Sequence, residues 1–264
     1  MPELPEAESA RRLMQRLLKG QRIGAVAGQP DPIVFSGTTA ARVAAALKGR
    51  TVRGAGRKGK HVWLELDRRP WPAFHMGMSG WFEVIGPDDD APRFWKLDLL
   101  AGNRRVVFCD VRRFGRVRLL QDPLNEPPIS LLGFDPLVGL PSVAELGRHL
   151  ARRSAPIKPV LLDQSLFAGV GNWIADEALF QAGISPHRPA RDLSPAEVGR
   201  IRRALHAIVA LAVKHDADSS RFPKTWLFHQ RWEYRGDPRT SRGESIVRET
   251  IGGRTAAWVP TRQR

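Results

Sequence analysis

Residues 94–120 read Phe-Trp-Lys-Leu-Asp-Leu-Leu-Ala-Gly-Asn-Arg-Arg-Val-Val-Phe-Cys-Asp-Val-Arg-Arg-Phe-Gly-Arg-Val-Arg-Leu-Leu. Three short β-rich runs fill this stretch: Phe94 to Leu100, Arg104 to Cys109 and Arg116 to Leu120. Breaks containing Gly and Asp separate them, the pattern of antiparallel strands. Working outward, His61 to Leu66 and Trp81 to Ile85 are runs of the same kind. Strands at this spacing predict a sandwich or barrel. Before them, a helix is predicted from about Pro5 to Lys19. Pro5 suits its first position and Gly20 its stop, and Ala10, Leu13, Met14, Leu17 and Leu18 make one apolar face. After the Pro-rich stretch from Pro123 to Pro141 the pattern turns helical. Ser142 to Glu145 is a capping box opening a helix to about Arg153, and a second helix is expected over Pro159 to Leu166. Gly169-Val170-Gly171-Asn172 precedes a third, Trp173 to Ala182, with Asn172 as N-cap and Gly183 as C′ residue. Ser194 to Glu197 is another capping box. From it Val198, Ile201, Leu205, Ile208 and Leu211 recur at helical spacing. Ile246 to Val259 reads as two short strands around Gly252-Gly253. The expectation is a β-rich N-terminal domain, a helical domain and a terminal hairpin.

Composition narrows the partners. The 264 residues hold 42 Lys+Arg against 27 Asp+Glu, a formal net charge of +15. Such an excess points to a polyanion: DNA, RNA or an acidic membrane surface. The basic residues are spread through a folded pattern, without one strongly basic amphipathic helix, which disfavours the membrane. The single cysteine, Cys109, excludes a disulfide framework and a Cys-based structural zinc site. No run of about 18 uncharged apolar residues predicts a membrane span. The start, Met1-Pro2-Glu3-Leu4-Pro5-Glu6, lacks the basic flank and apolar core of a signal peptide. The default expectation is therefore a soluble cytoplasmic protein.

Several residues are suited to chemistry. Removal of Met1 would expose Pro2 as a secondary amine. An α-amino group has a pKa of about 7.7–8.0, so much of it is unprotonated near neutrality and able to form an iminium. Glu3 beside it can move protons. Arg50 to Lys60 holds five cations, three glycines and no acid, and reads as a phosphate-clamping or merely solvated basic loop. Gly169 to Asn172 leads into a helix N-terminus, either an anion site or a tight turn. In Asp110-Val111-Arg112-Arg113-Phe114-Gly115, Phe114 can wedge into a base stack with an Arg beside it. Met78, in His75-Met76-Gly77-Met78-Ser79-Gly80, is a second candidate wedge, and core positions are the alternative for both. His75 has no partner at metal-ligand spacing, leaving a phosphate donor or a structural histidine. In Gly252-Gly253-Arg254-Thr255, Arg254 stands at a turn tip and can reach a phosphate.

Taken in order, these motifs resemble the formamidopyrimidine-DNA glycosylase and endonuclease VIII family of base-excision repair enzymes. The anchors are Met1 to Glu6, Arg57 to Lys60, His75 to Gly80, Arg112 to Gly115, Ile157-Lys158-Pro159, Gly169 to Glu177 and Gly253 to Thr255. The resemblance implies an α+β fold: an N-terminal β-sandwich domain with flanking helices over 1–135, carrying the catalysis. A helix–two-turns–helix DNA-binding domain would follow over 142–240, and a finger hairpin over 241–264. The family usually ends in a four-Cys zinc finger. With only Cys109 present, this chain looks like a zincless version, and Asp216 to His229 looks most like the plant-type members. Packing around Trp258 would replace the metal as the hairpin's staple.

The resemblance also implies roles. Pro2 would attack C1′ of the damaged nucleotide and Glu3 would act as acid/base in opening the sugar. Lys60 would assist β-elimination and contact the backbone, and Arg254 would hold the target phosphates and assist δ-elimination. The target nucleotide must leave the stack, and Met78, Arg112 and Phe114 would fill the gap. His75, Lys158, Gly171 and Asn172 would meet phosphates, with Lys96 and Arg113 as further backbone contacts. No metal or cofactor is implied. The partner would be damaged double-stranded DNA, bound by a monomer. Val111 replaces the proline usual in the wedge loop. The plant-like region after Lys214 favours hydantoins, oxidised pyrimidines, formamidopyrimidines and abasic sites over 8-oxoguanine. The competing reading is a non-catalytic nucleic-acid-binding protein. Basic charge supports both, while Pro2 with Glu3, Lys60 and Arg254 favours the enzyme.

Overall fold

The computed structural model describes residues 2–232 and 236–264. The chain divides into two compact units, residues 1–131 and 132–264.

The first unit opens with helix α1 (Leu4–Leu18), which has a proline in its first turn. Its apolar stripe, including Ala7, Ala10, Met14 and Leu18, enters the core. Strand β1 (Ile23–Gly28) and helix α2 (Ala40–Leu47), capped by the Thr39 side chain, follow. Seven more strands complete the unit: β2 (Val52–Lys58), β3 (His61–Leu66), β4 (Trp71–His75), β5 (Gly80–Ile85), β6 (Trp95–Ala101), β7 (Arg104–Asp110) and β8 (Arg116–Leu120). They form two four-stranded sheets, β1-β6-β7-β5 and β2-β3-β4-β8, with every pairing antiparallel. One core takes side chains from both sheets, among them Leu97, Val106 and Phe108 from the first and Leu64, Phe74 and Val117 from the second. The Phe74 ring meets Phe82 edge-on at 5.2 Å. This is the expected sandwich.

One local expectation is corrected. Most of the basic stretch Arg50 to Lys60 is strand β2 rather than a loop. Its glycines serve packing: a Cβ on Gly56 would overlap the Trp63 ring of β3, and one on Gly54 would lie 2.8 Å from a Glu65 carboxylate oxygen.

The second unit is helical. It contains α3 (Val143–Ala151), capped by the Ser142 side chain, and α4 (Ile157–Leu162). Next come α5 (Asn172–Ala182) and α6 (Pro195–Lys214), opened by the Ser194/Glu197 capping box. Helix α4 starts two residues before the expected Pro159 and ends four before Leu166. Asp163 turns the chain there by accepting from the Ser165 N–H at 2.9 Å. In α5 the N-cap is Gly171 and Asn172 is the first helical residue, while Gly183 ends the helix in the left-handed region at φ 66°. Nearly every residue of α5 is buried, so it is the central post of this unit. Strands β9 (Val247–Ile251) and β10 (Arg254–Trp258) pair as a hairpin around Gly252-Gly253.

The hairpin is held differently from the expectation. Trp258 is only half-buried, its indole N–H donating to Glu249 at 2.6 Å. The apolar staple is Ile246, Ala257 and Val259 packed with Phe180 and Leu227. Gln263 is 2% exposed. It accepts from the Val259 N–H at 2.7 Å and donates to the Ile184 carbonyl at 3.0 Å. The family's four-Cys zinc site does not fit these residues. The hairpin has no cysteine, and the described residues contain no cluster of His, Cys, Asp and Glu able to hold a metal.

Candidate active site and nucleic-acid interface

Pro2 and Glu3 lead directly into α1. Glu3 is 1% exposed, and its N–H donates to Glu6 Oε2 at 2.9 Å. Burial, and then the charge of Glu3, push the Glu6 carboxyl up to about 7. Near neutrality Glu6 therefore exchanges a proton readily, beside the backbone of Glu3. Sequence reasoning missed Glu6. Its spacing of three from an N-cap Glu3 was the available signal.

Lys60 is placed by the β2–β3 turn, where Gly59 adopts φ 58°. Arg57 braces that turn by donating to the Gly59 carbonyl at 2.9 Å. Its Nε donates to Glu8 Oε2 on α1 at 3.0 Å. Burial raises the Glu8 carboxyl pKa, but hydrogen bonds from Arg11 and Arg57 outweigh it and hold the group below the ordinary value. An ionised carboxylate thus ties the helix that follows Pro2 and Glu3 to the turn that carries Lys60. Glu8 was not singled out in the sequence, and Arg57 stood only as part of a basic motif, because their separation hides the contact.

His75 closes β4, paired with His61 across the sheet at a ring separation of 4.7 Å. Burial, and then Lys60, push the His75 pKa down to about 4. Burial, and then His75, push His61 down to about 3. His75 Nδ1 accepts from the Gly77 N–H at 3.1 Å, so the neutral ring carries its proton on Nε2. That leaves a neutral N–H donor, suited to a phosphate.

The two candidate wedges share one anchor. Asp110 is fully buried. It accepts from the Gly115 N–H at 2.7 Å, the Ser79 hydroxyl at 2.7 Å and the Arg112 N–H at 3.2 Å. One carboxylate therefore closes the Arg112–Phe114 loop and ties it to the loop of Met78. A Cβ on Gly77, at φ 61°, would collide with the Phe114 backbone, so the two loops are packed together. Met78 and Phe114 are exposed, not core residues, and the Arg112 guanidinium lies 4.8 Å over the Phe114 ring. The loop keeps these bonds with Val111 in the usual proline's place. Replacing Asp110 by Ala frees both loops and leaves the Gly115 N–H unpaired. We expect excision from damaged duplex to fall about 100-fold, because wedge placement tolerates little error, and cleavage of preformed abasic sites to fall much less. Parallel assays on the two substrates check this.

Lys96 and Arg113 do not stand free for a phosphate. Lys96 Nζ lies 3.0 Å from Asp31 Oδ2 and Arg113 Nε 2.9 Å from the same oxygen. Burial opposes ionisation of Asp31, but Arg113 and Lys96 hold its carboxyl well below the ordinary range. A phosphate would have to compete with it. Lys158 is also not on the surface. It is fully buried, bound to the Asp176 carboxylate and to the Asn172 carbonyl at 3.0 Å. Arg231 reaches the other Asp176 oxygen at 2.6 Å. Lys158 thus acts on the Gly171-Asn172 helix start from behind. Arg254 is exposed, directly after the hairpin turn. A Cβ on Gly252 would come within 2.7 Å of Pro159, so the turn leans on α4.

The two-sheet sandwich carries the buried acid at the chain start and the exposed, mutually packed loops of Met78 and Phe114. The Formamidopyrimidine-DNA glycosylase N-terminal domain matches residues 1–117 and the Formamidopyrimidine-DNA glycosylase H2TH domain matches residues 132–224. The formamidopyrimidine-DNA glycosylase of Arabidopsis thaliana is 38% identical, covering 100% of this chain and 71% of the plant protein. That of Thermus thermophilus is 34% identical, covering 100% and 98%. The structure resembles the Lactococcus lactis Fpg in complex with abasic-site-containing DNA, with a TM-score of 0.87, 25% identity and 99% of each chain covered. The chain belongs to the formamidopyrimidine-DNA glycosylase family.

Proposed function

We propose that this protein is a bifunctional DNA glycosylase and abasic-site lyase of base-excision repair, acting as a monomer on damaged double-stranded DNA. The observation that carries the reading is the Glu8–Arg57 tie, which joins the start of α1, with Pro2 and Glu3, to the turn of Lys60. With Met1 removed, the Pro2 nitrogen attacks C1′ as the bond from C1′ to the base breaks, and the base leaves with the bonding pair. Glu3 exchanges protons as the sugar ring opens to the iminium. Loss of a C2′ proton then expels the 3′ phosphate, and Lys60 and Arg254 assist this β-elimination and the δ-elimination after it. His75 and Asn172 donate to phosphates, while Met78, Arg112 and Phe114 fill the emptied stack. We assign catalysis to the sandwich, residues 1–135, and DNA gripping to residues 142–240 and the hairpin 241–264. Among the described residues no helix is long and apolar enough to cross a membrane, and we assign the protein to the cytoplasm with the DNA it repairs. Hydantoins, oxidised pyrimidines, formamidopyrimidines and abasic sites are its proposed lesions.

Borohydride trapping on a duplex with an abasic site tests the reading. The enzyme forms a covalent complex; a chain that binds the duplex and never crosslinks is a binding module instead. Arg254→Ala is expected to slow strand scission by about 10-fold at unchanged melting temperature, and to reduce the slope of log affinity against log salt by about one. An unchanged slope removes Arg254 from the phosphate contacts.

A further inference from the structure

Three strand ends lie side by side at one end of the β1-β6-β7-β5 sheet. Phe94 immediately precedes β6, and its carbonyl accepts from the Asp110 N–H at 3.0 Å. Asp110, the last residue of β7, pairs in register with Gly80, the first of β5. Met78 comes two residues before Gly80 and Phe114 four residues after Asp110. Phe94 is therefore the third member of a row whose other two loops carry the wedges, and the reaction described above gives it no task.

Its details match theirs. Phe94 is 39% exposed, against 42% for Met78 and 45% for Phe114. The Arg93 guanidinium lies 4.6 Å over its ring, repeating the Arg112–Phe114 pair. Its backbone is at φ 67°, a left-handed conformation that is a steric outlier for a bulky residue. Such strain in a solvent-facing aromatic contributes nothing to a core, and it concentrates where a ligand is met.

We propose that Phe94, backed by Arg93, is a third stacking element, which takes a nucleobase of the duplex beside the gap left by the extruded nucleotide. The inference rests on the reading of Met78, Arg112 and Phe114 as gap-fillers. Neighbouring strands are about 4.8 Å apart and successive bases about 3.4 Å. A ring one or two strands along the row therefore stands roughly one to three base steps from the gap. Aromatic rings accept any base on their face, and Arg supports the stack from behind.

The test uses the full chain with Phe94→Ala, Phe94→Gly and Phe94→Tyr. Excision from a damaged duplex is compared with cleavage of a preformed abasic site in single strand, alongside thermal melting. The ratio of duplex to single-strand rates is expected to fall about ten-fold in the Ala and Gly variants and to survive in Phe94→Tyr. Phe94→Gly, which accepts φ 67° without strain, is expected to melt no lower than wild type, so its loss is not one of folding. A 2-aminopurine beside the lesion should fluoresce more strongly in the complex with Phe94→Ala than with wild type. An unchanged ratio in the Ala and Gly variants overturns the proposal while wild-type trapping stands. Failure of the wild type itself to trap overturns the enzyme reading, and this proposal with it.

Discussion

A chain that retains Met1 gives no borohydride-trapped complex with an abasic duplex, and strand scission falls by at least about 10³-fold, the scale of losing a covalent nucleophile. Met1 converts the Pro2 nitrogen into an amide, whose lone pair is delocalised into the carbonyl and cannot attack carbon. The chain's single thiol does not take its place. The thiol of Cys109 is buried within β7 and pushed up to about 12, by burial first. The fold should not notice the change, because α1 begins at Leu4 and its packing lies beyond Pro2. Duplex affinity within a few-fold of wild type, with trapping abolished, is the expected pair of results. A complex that still traps with Met1 in place moves the nucleophile elsewhere.

The second large effect is on stability. Replacing Asp176 by Ala is expected to cost about 3–5 kcal/mol and to lower the melting temperature by roughly 10–20 °C. Asp176 is 1% exposed, Lys158 0% and Arg231 5%. Its carboxylate is bound on one oxygen by Lys158 and on the other by Arg231. Without it, two interior cations lose the carboxylate that both bind. Arg248 extends the effect to the hairpin by donating to the carbonyls of Arg231 at 3.0 Å and Gln230 at 2.6 Å. The double change Lys158→Met with Asp176→Leu should recover part of the loss, since an apolar pair of similar volume avoids the desolvation cost. Urea titration of the three proteins checks this, and a loss below about 1 kcal/mol for Asp176→Ala would mean that water reaches the cluster.

Local signals were legible where the chain answers to its own neighbours. The capping box at Ser194, the left-handed stop at Gly183, the strands from His61 to Leu120 and the Gly252-Gly253 turn all follow from residues within four of one another. The same holds for the ordered motifs that carry the family resemblance. Features set by distant partners were hidden. Arg50 to Lys60 looks like a loop because the need for glycine at Gly56 comes from the Trp63 ring. Lys158 looks like a phosphate ligand because its acid, Asp176, is 18 positions away and Arg231 lies 55 beyond that. Lys96 and Arg113 look free until Asp31 folds onto them. Charge counts register cations but not which are already spent, so the candidate interface read from the sequence was broader than the one the structure presents.

The hairpin's closure also bears on when this enzyme can work. Its joint is made of Ile246, Ala257, Val259 and the Gln263 amide, groups that neither peroxide nor a chelator attacks at ordinary doses. A finger closed by thiolates around a metal is dismantled by both. The lesions proposed for this protein form under oxidative stress, and the joint that closes its proposed DNA-gripping hairpin contains no thiol. Resilience to the insult is thus part of the architecture of its repair.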